Sequence, residues 1–274
     1  MAGRKLKTFD DYKRSLKGNY GLGEGHSYKP WLRVQDVKSR GVRSQILGLK
    51  TQRTHHTLSS IETEFFYLAE HCDSVIDIRE QFPLFPLNLS IKIAESLGIK
   101  HPAHPITDIP IIITTDFLLT RKINNEIIYD AVSVKPENES SDLRVLEKLE
   151  IERVWWELIE VPFNFYAGNE LTKIQSSNIN WATHPIRTAS KGYSQFEIET
   201  ALSLTTIGRQ CTRDLCNMFV HEIGVDHDEA LNLFRFLIAY KHLTVDMSYT
   251  LENSDFVDVQ EKNIFQEMAA NGNS

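Results

Sequence analysis

Cysteine is scarce in this chain of 274 residues, and its three copies are poorly placed for chemistry. Cys72, Cys211 and Cys216 form no CxxC pair and have no histidine partners at ligand spacing. That argues against both a zinc site and a disulfide framework and leaves them as small apolar residues. Long hydrophobic runs are absent too: no stretch approaches the roughly 18 apolar residues of a membrane span. The opening MAGRKLKTFDDYKR lacks the apolar core of a signal peptide. A soluble, cytoplasmic protein with no membrane partner is expected. A glycine-rich run does occur, GLGEGH from Gly21 to His26, but no strand precedes it. It is therefore not the fingerprint of a dinucleotide or phosphate loop.

Positive charge is in deficit overall, with 30 Lys and Arg against 37 Asp and Glu. The deficit is uneven: residues 1–60 hold 13 basic against 4 acidic side chains, leaving 17 against 33 in residues 61–274. A basic arm on an acidic body suits a segment that meets a polyanion and a remainder that faces protein. For residues 1–18 a solvated tail is the plain alternative.

With 41% hydrophobic residues the chain is long enough for one large domain or two ordinary ones. Residues 1–30 read as a basic flexible arm, and packing is expected to begin at Pro30-Trp31. Ile61, Phe65, Leu68 and Cys72 recur at helical spacing after the cap signature Ser59-x-x-Glu62. A strand over Ser74–Ile78 and a short helix over Asn88–Leu97 follow. Beyond Pro136 comes a long amphipathic helix over Leu143–Ile159, then a strand at Phe163–Tyr166. This order describes an α/β sandwich with a mixed sheet, assigned to residues 31–183. Pro, Gly and small polar residues between Thr183 and Ser194 mark a boundary. Residues 184–274 then read as a smaller, mainly helical, winged-helix-like domain. Its helices are expected over Phe196–Leu204, Arg213–Ile223 and Asp226–Ala239, with a strand or wing at His242–Tyr249 and a frayed tail from Asn263.

The stretch Thr114–Pro136 carries the chemistry. Two β-rich runs, Thr115–Arg121 and Ile127–Lys135, flank Asn124-Asn125 and should pair as a hairpin. The hairpin brings Asp116, near one strand's start, close to Lys135 at the other's end, with Ser133 and Lys135 on one face. An acid facing such a lysine is the arrangement of metal-dependent nucleases, in which the carboxylate holds a divalent cation and the lysine sits by the attacked phosphate. The bland alternative is a half-buried hairpin with a solvated Asp and a snorkelling Lys. Glu62 is a second carboxylate candidate, against its equally natural role in the helix cap.

The motifs HHTLSSIETEFF, VIDIREQFPL, KHP, TTDFLL, SVKP and LEKLEIERVWW, in this order, resemble TnsA, the endonuclease subunit of heteromeric TnsA/TnsB transposases. YKPWLRVQDV and NINW extend the likeness over about residues 20–182. The resemblance implies a restriction-endonuclease-like catalytic domain with catalytic residues at Glu62, Asp116 and Lys135. It implies Mg²⁺, with Mn²⁺ as a substitute, held by Glu62, Asp116, the Val134 backbone carbonyl and Ser133, where the family often carries Gln. Its implied partners are transposon-end DNA, the TnsB transposase and the AAA+ regulator TnsC, in a bacterial cytoplasm and on the nucleoid once assembled. The activity implied is cleavage of the 5′-ended strands during cut-and-paste transposition. Two rival readings are an inactive adaptor bridging TnsB and TnsC, and a basic-armed DNA-binding module with no chemistry.

Overall fold

Thr8 opens the first helix of the computed structural model, which describes residues 3–37, 41–136, 142–189 and 192–263. Its hydroxyl accepts the Asp11 N–H while the Asp11 carboxylate accepts the Thr8 N–H, so α1 (Phe9–Lys17) is capped reciprocally. Tyr12 on α1 lies edge-on to Trp31, ring centroids 5.9 Å apart, and both are buried with Ile112. Residues 3–30, expected as a flexible arm, are instead folded into the first unit because these aromatic rings bury their faces there. Part of the basic charge is also paired, since Arg4 and Arg33 both hold Asp36 and Arg14 holds Asp11. The charge count of this region therefore overstates what a polyanion would meet.

The first of two compact units spans Met1–Asn169. After α1 come the hairpin of β1 (Ser44–Leu47) and β2 (Thr54–Thr57), then α2 (Ser60–His71), β3 (Val75–Pro83) and α3 (Leu87–Ser96). They are followed by β4 (Thr114–Ile123), β5 (Glu126–Val134), α4 (Leu143–Glu157) and β6 (Phe163–Tyr166). The sheet order is β3-β4-β5-β6, antiparallel except for the parallel β5–β6 pair, so the sheet is mixed as expected. Asn124 and Asn125 take φ of 50° and 67°, the left-handed values a two-residue hairpin turn requires and asparagine tolerates. Residues 137–141, expected as a polar linker, lie outside the described residues.

Thr114 to Thr120 are all buried, as befits a strand inside the sheet. Phe65 of α2 places its ring 5.1 Å from that of Phe117. Leu118 and Ala131 pack with Ile93 of α3 and with Ile151, Trp155 and Trp156 of α4. Each such apolar side chain, fully buried, contributes about 1.5–3 kcal/mol relative to exposure. A second tie joins β2 to β3 through polar groups. Fully buried Glu80 accepts from Arg53 at both oxygens (2.8 and 2.6 Å), from the His56 N–H (3.0 Å), and pairs with His55 Nδ1 at 2.8 Å. Burial works against the Glu80 charge, but His55 and Arg53 outweigh it and hold the carboxyl far below the usual range.

The second unit, Glu170–Ser274, begins inside what the sequence suggested was one domain. The boundary expected after residue 183 falls within α5 (Glu170–Ala189), which runs through Pro185. Proline removes the N–H that would bond Trp181 O, four residues back. Arg235 supplies the missing donor, its Nε bonding that carbonyl at 2.8 Å, so the helix continues past a residue that reads as a breaker. The three expected helices are α6 (Gln195–Leu204), α7 (Thr212–Ile223) and α8 (His227–Ala239). Between them lies β7 (Gly208–Cys211), too short and polar to signal a strand. The expected strand at His242–Tyr249 shortens to β8 (Leu243–Val245), and β9 (Phe256–Lys262) completes an antiparallel sheet of order β7-β9-β8. Leu215, Phe219, Leu233, Phe234, Val257 and Val259 form its core. The tail beyond Asn263 lies outside the described residues.

Candidate active site

The first turn of α2 fixes Glu62. Ser59 Oγ caps the helix by accepting the Glu62 N–H at 3.2 Å and donates to Glu62 Oε1 at 2.9 Å, while the Leu58 N–H donates to Oε2 at 2.9 Å. Glu62 is thus part of the cap, but its carboxylate is also turned toward β3 and β4. Gln81 Nε2 lies 3.4 Å from Glu62 Oε2 and 3.3 Å from Asp116 Oδ1. Asp116 Oδ2 accepts from the Val134 N–H at 2.7 Å, from Lys135 Nζ at 2.8 Å and from Ser133 Oγ at 3.3 Å. Lys135 Nζ also donates to the Val134 carbonyl at 2.8 Å. Glu62, Asp116, Ser133, Val134 and Lys135, drawn from α2, β4 and the end of β5, therefore meet in one polar cluster.

Two carboxylates in one buried site cannot share their charge cheaply. Burial and then the Asp116 charge push the Glu62 carboxyl up to about 7, against the pull of the Leu58 N–H, Ser59 and Lys135. Asp116 goes the other way. Burial opposes its charge, but Lys135, Lys148 and the Val134 N–H outweigh it and hold the group below its ordinary value. Burial likewise pulls on the Lys135 ammonium, and the Asp116 charge reverses the sign, so Lys135 stays charged above its ordinary range.

Sequence reasoning missed three further groups at this site. Gln81 lies 2% exposed between the two acids. Glu152 of α4 is fully buried, its Oε2 accepting from Thr115 Oγ1 at 3.0 Å, and Thr115 in turn accepts from Trp156 Nε1 at 2.8 Å. Lys148 Nζ lies 3.1 Å from Glu152 Oε1, an ion pair without hydrogen-bond alignment, and also reaches the Thr114 carbonyl. Burial raises the Glu152 carboxyl, with the Asp116 charge adding to it. One signal was available: Glu152 stands three and four residues before Trp155 and Trp156, on the stripe a helix buries.

Among the described residues no three His, Cys, Asp or Glu side chains gather as a metal-holding group. The cluster offers two carboxylates and the Val134 carbonyl, all hard oxygen donors. A carboxyl raised toward neutrality by burial and then by its neighbour's charge is one that a divalent cation would relieve. The donor set therefore fits Mg²⁺ or Mn²⁺.

Residues 72–168, from the end of α2 through β6, match the family described as the TnsA-like endonuclease N-terminal domain. Over that stretch the chain carries a TnsA-like domain, as its motifs implied. It is 40% identical over 168 residues to the transposon Tn7 transposition protein TnsA of Escherichia coli, a match covering 61% of this chain and 60% of that protein. The chain thus spans about three-fifths of the length of this relative. Among the described residues no helix is long and apolar enough to cross a membrane.

Proposed function

We propose that this chain is a metal-dependent DNA endonuclease, the transposase subunit that hydrolyses the 5′-ended strands at transposon ends. The observation that carries this reading is the convergence of Glu62, Asp116 and Lys135 in one buried polar cluster from three separate elements. Its mixed sheet flanked by helices is compatible with a restriction-endonuclease-like core.

Glu62 and Asp116, with the Val134 carbonyl, would hold Mg²⁺, which supplies an acidified water and neutralises charge on the phosphate under attack. Asp116 stays ionised for that task because Lys135, Lys148 and the Val134 N–H favour its charged form. Lys135 is kept protonated, so it acts as a fixed positive charge beside the phosphate and orients the attacking water instead of removing its proton. Ser133 Oγ donates to Asp116 and so steadies that carboxylate, which gives it an outer-sphere role.

From α6 onward the second unit's order of helix, strand, helix, helix and two strands, with sheet order β7-β9-β8, supports a winged-helix-like reading. Asp226, Asp228 and Glu229 open α8, an acidic start that suits a protein partner better than DNA. By its likeness to TnsA the chain would act on transposon-end DNA with a TnsB-type transposase and a TnsC-type AAA+ regulator. The test is nicking of a strand-labelled transposon end with Mg²⁺ and the partner transposase present. Mg²⁺-dependent nicks on the 5′-ended strand support the proposal, and their absence in a folded, partner-bound protein leaves only an adaptor.

A further inference from the structure

Gln81 is held in an unusual way for a strand residue. Its φ of 48° lies in the left-handed region, where a residue other than glycine persists only if its surroundings fix it. Those surroundings are visible. The Gln81 carbonyl accepts the Trp31 N–H at 3.2 Å, and its Oε1 accepts from Thr114 Oγ1 at 2.9 Å. What that conformation achieves is to aim the carboxamide between Glu62 and Asp116, with Nε2 at 3.4 and 3.3 Å from their oxygens.

The orientation of the amide follows from chemistry. Asp116, ion-paired to Lys135, only accepts, so the half of the amide that faces it must be the NH₂. Both contacts are long for N–H···O bonds and are weak ones. Turned over about its last torsion, the same side chain would present Oε1, a neutral hard oxygen of the kind such cations accept. Thr114 permits this, because a hydroxyl donates to Oε1 in one orientation and accepts from Nε2 in the other.

We propose that Gln81 is the third side-chain donor of the divalent-cation site, bridging Glu62 and Asp116 through Nε2 and turning to offer Oε1 when a cation binds. This inference rests on the cation-dependent nuclease reading above. It also accounts for a buried carboxamide set between two carboxylates.

The experiment is calorimetric titration of the full chain with Mn²⁺, without DNA, for the wild type, Asp116→Asn, Gln81→Met and Gln81→Glu, each checked for folding by circular dichroism. Gln81→Met keeps the shape and removes the donor, and should weaken Mn²⁺ binding by about 10-fold or more. Gln81→Glu adds a charged oxygen at the same place and should tighten it by about 10-fold, with a lower melting temperature in the absence of cation. Should Gln81→Met fail to fold, Gln81→Glu, which differs by one atom, decides alone. If Asp116→Asn loses Mn²⁺ while both Gln81 variants bind as the wild type does, Gln81 is a structural spacer and the inference fails by itself. If the wild type binds no Mn²⁺, or Asp116→Asn binds it unchanged, the cation reading falls and takes this inference with it.

Discussion

Asp116 Oδ2 and Lys135 Nζ, 19 positions apart in sequence, lie 2.8 Å apart across the mouth of the β4–β5 hairpin. This one contact divides the site's labour. It keeps Asp116 ionised and Lys135 protonated, and it leaves Glu62 as the carboxyl that absorbs the repulsion.

The same contact makes Asp116 a structural residue as well. Asp116→Ala strands the partly buried Lys135 ammonium, whose side chain is 20% exposed, and removes the acceptor of the Val134 N–H. Breaking one side of such a pair costs about 3–5 kcal/mol when fully buried, and somewhat less is expected here. Asp116→Asn keeps an acceptor and should cost about 1–2 kcal/mol. Both should lose 5′-strand cleavage, and denaturant melts of the two variants, run beside nicking assays, separate lost chemistry from lost fold. Wild-type nicking by Asp116→Asn would remove Asp116 from the mechanism.

Glu62 gives the cation-free protein a pH-dependent stability. Its folded value of about 7 stands above the ordinary 4.5, so the folded state holds the proton more tightly than the unfolded chain does. The contribution is complete below pH 4.5 and is lost as pH rises through 7, a change on the order of a few kcal/mol. Unfolding in the presence of a chelator should therefore show this loss in the wild type between about pH 5 and 8 and its absence in Glu62→Gln. Parallel curves for the two proteins would mean that Glu62 ionises as an exposed glutamate does.

Glu80 neighbours Gln81 in sequence but belongs to a separate network. Glu80→Ala leaves the buried Arg53 guanidinium without its bidentate partner, and a loss of about 3–5 kcal/mol is expected. Its depressed carboxyl gives stability present above the ordinary carboxylate range and lost as pH falls through it. Because it touches none of the cluster's polar atoms, cleavage by the folded fraction should be unchanged. Activity measured at low temperature, where the variant is still folded, checks this.

Much of this architecture could be read from the sequence because local signals agreed with tertiary need. The Asn124-Asn125 turn fixed the hairpin register, and that register brings Asp116 to Lys135. Ser59 announced the start of α2 correctly, and the same residue hid Glu62, since capping and facing the site use the same first turn. Gln81 was illegible because its place depends on a left-handed backbone at a residue that ordinarily avoids one. Pro185 was misread for a related reason: the group that satisfies Trp181 O is Arg235, 54 positions away.

That last pair yields its own expectation. Arg235 bonds the Trp181 carbonyl and lies over its ring, with the guanidinium carbon 5.1 Å from the centroid. Arg235→Met should leave the carbonyl without a donor and cost about 1–3 kcal/mol, whereas Pro185→Ala alone should be neutral or stabilising. In the double variant the helix N–H returns, so part of the Arg235→Met loss should be recovered. Additive losses would show that the two residues are not coupled.

At Glu62 the helix cap and the proposed cation site coincide. The deciding measurement is the rate of 5′-strand nicking on a labelled transposon end by Glu62→Gln against Mg²⁺ concentration, with a melting curve beside it. Glutamine keeps an acceptor at the helix start, and Ser59 still caps, so stability in the absence of cation should be nearly wild-type below about pH 4.5 and higher than wild-type near and above pH 7. Cleavage should fall by about 100-fold or more, a change that needs only about 2.7 kcal/mol at the transition state. Near-normal nicking, or a loss that only follows unfolding, would contradict the assignment and return Glu62 to the cap alone.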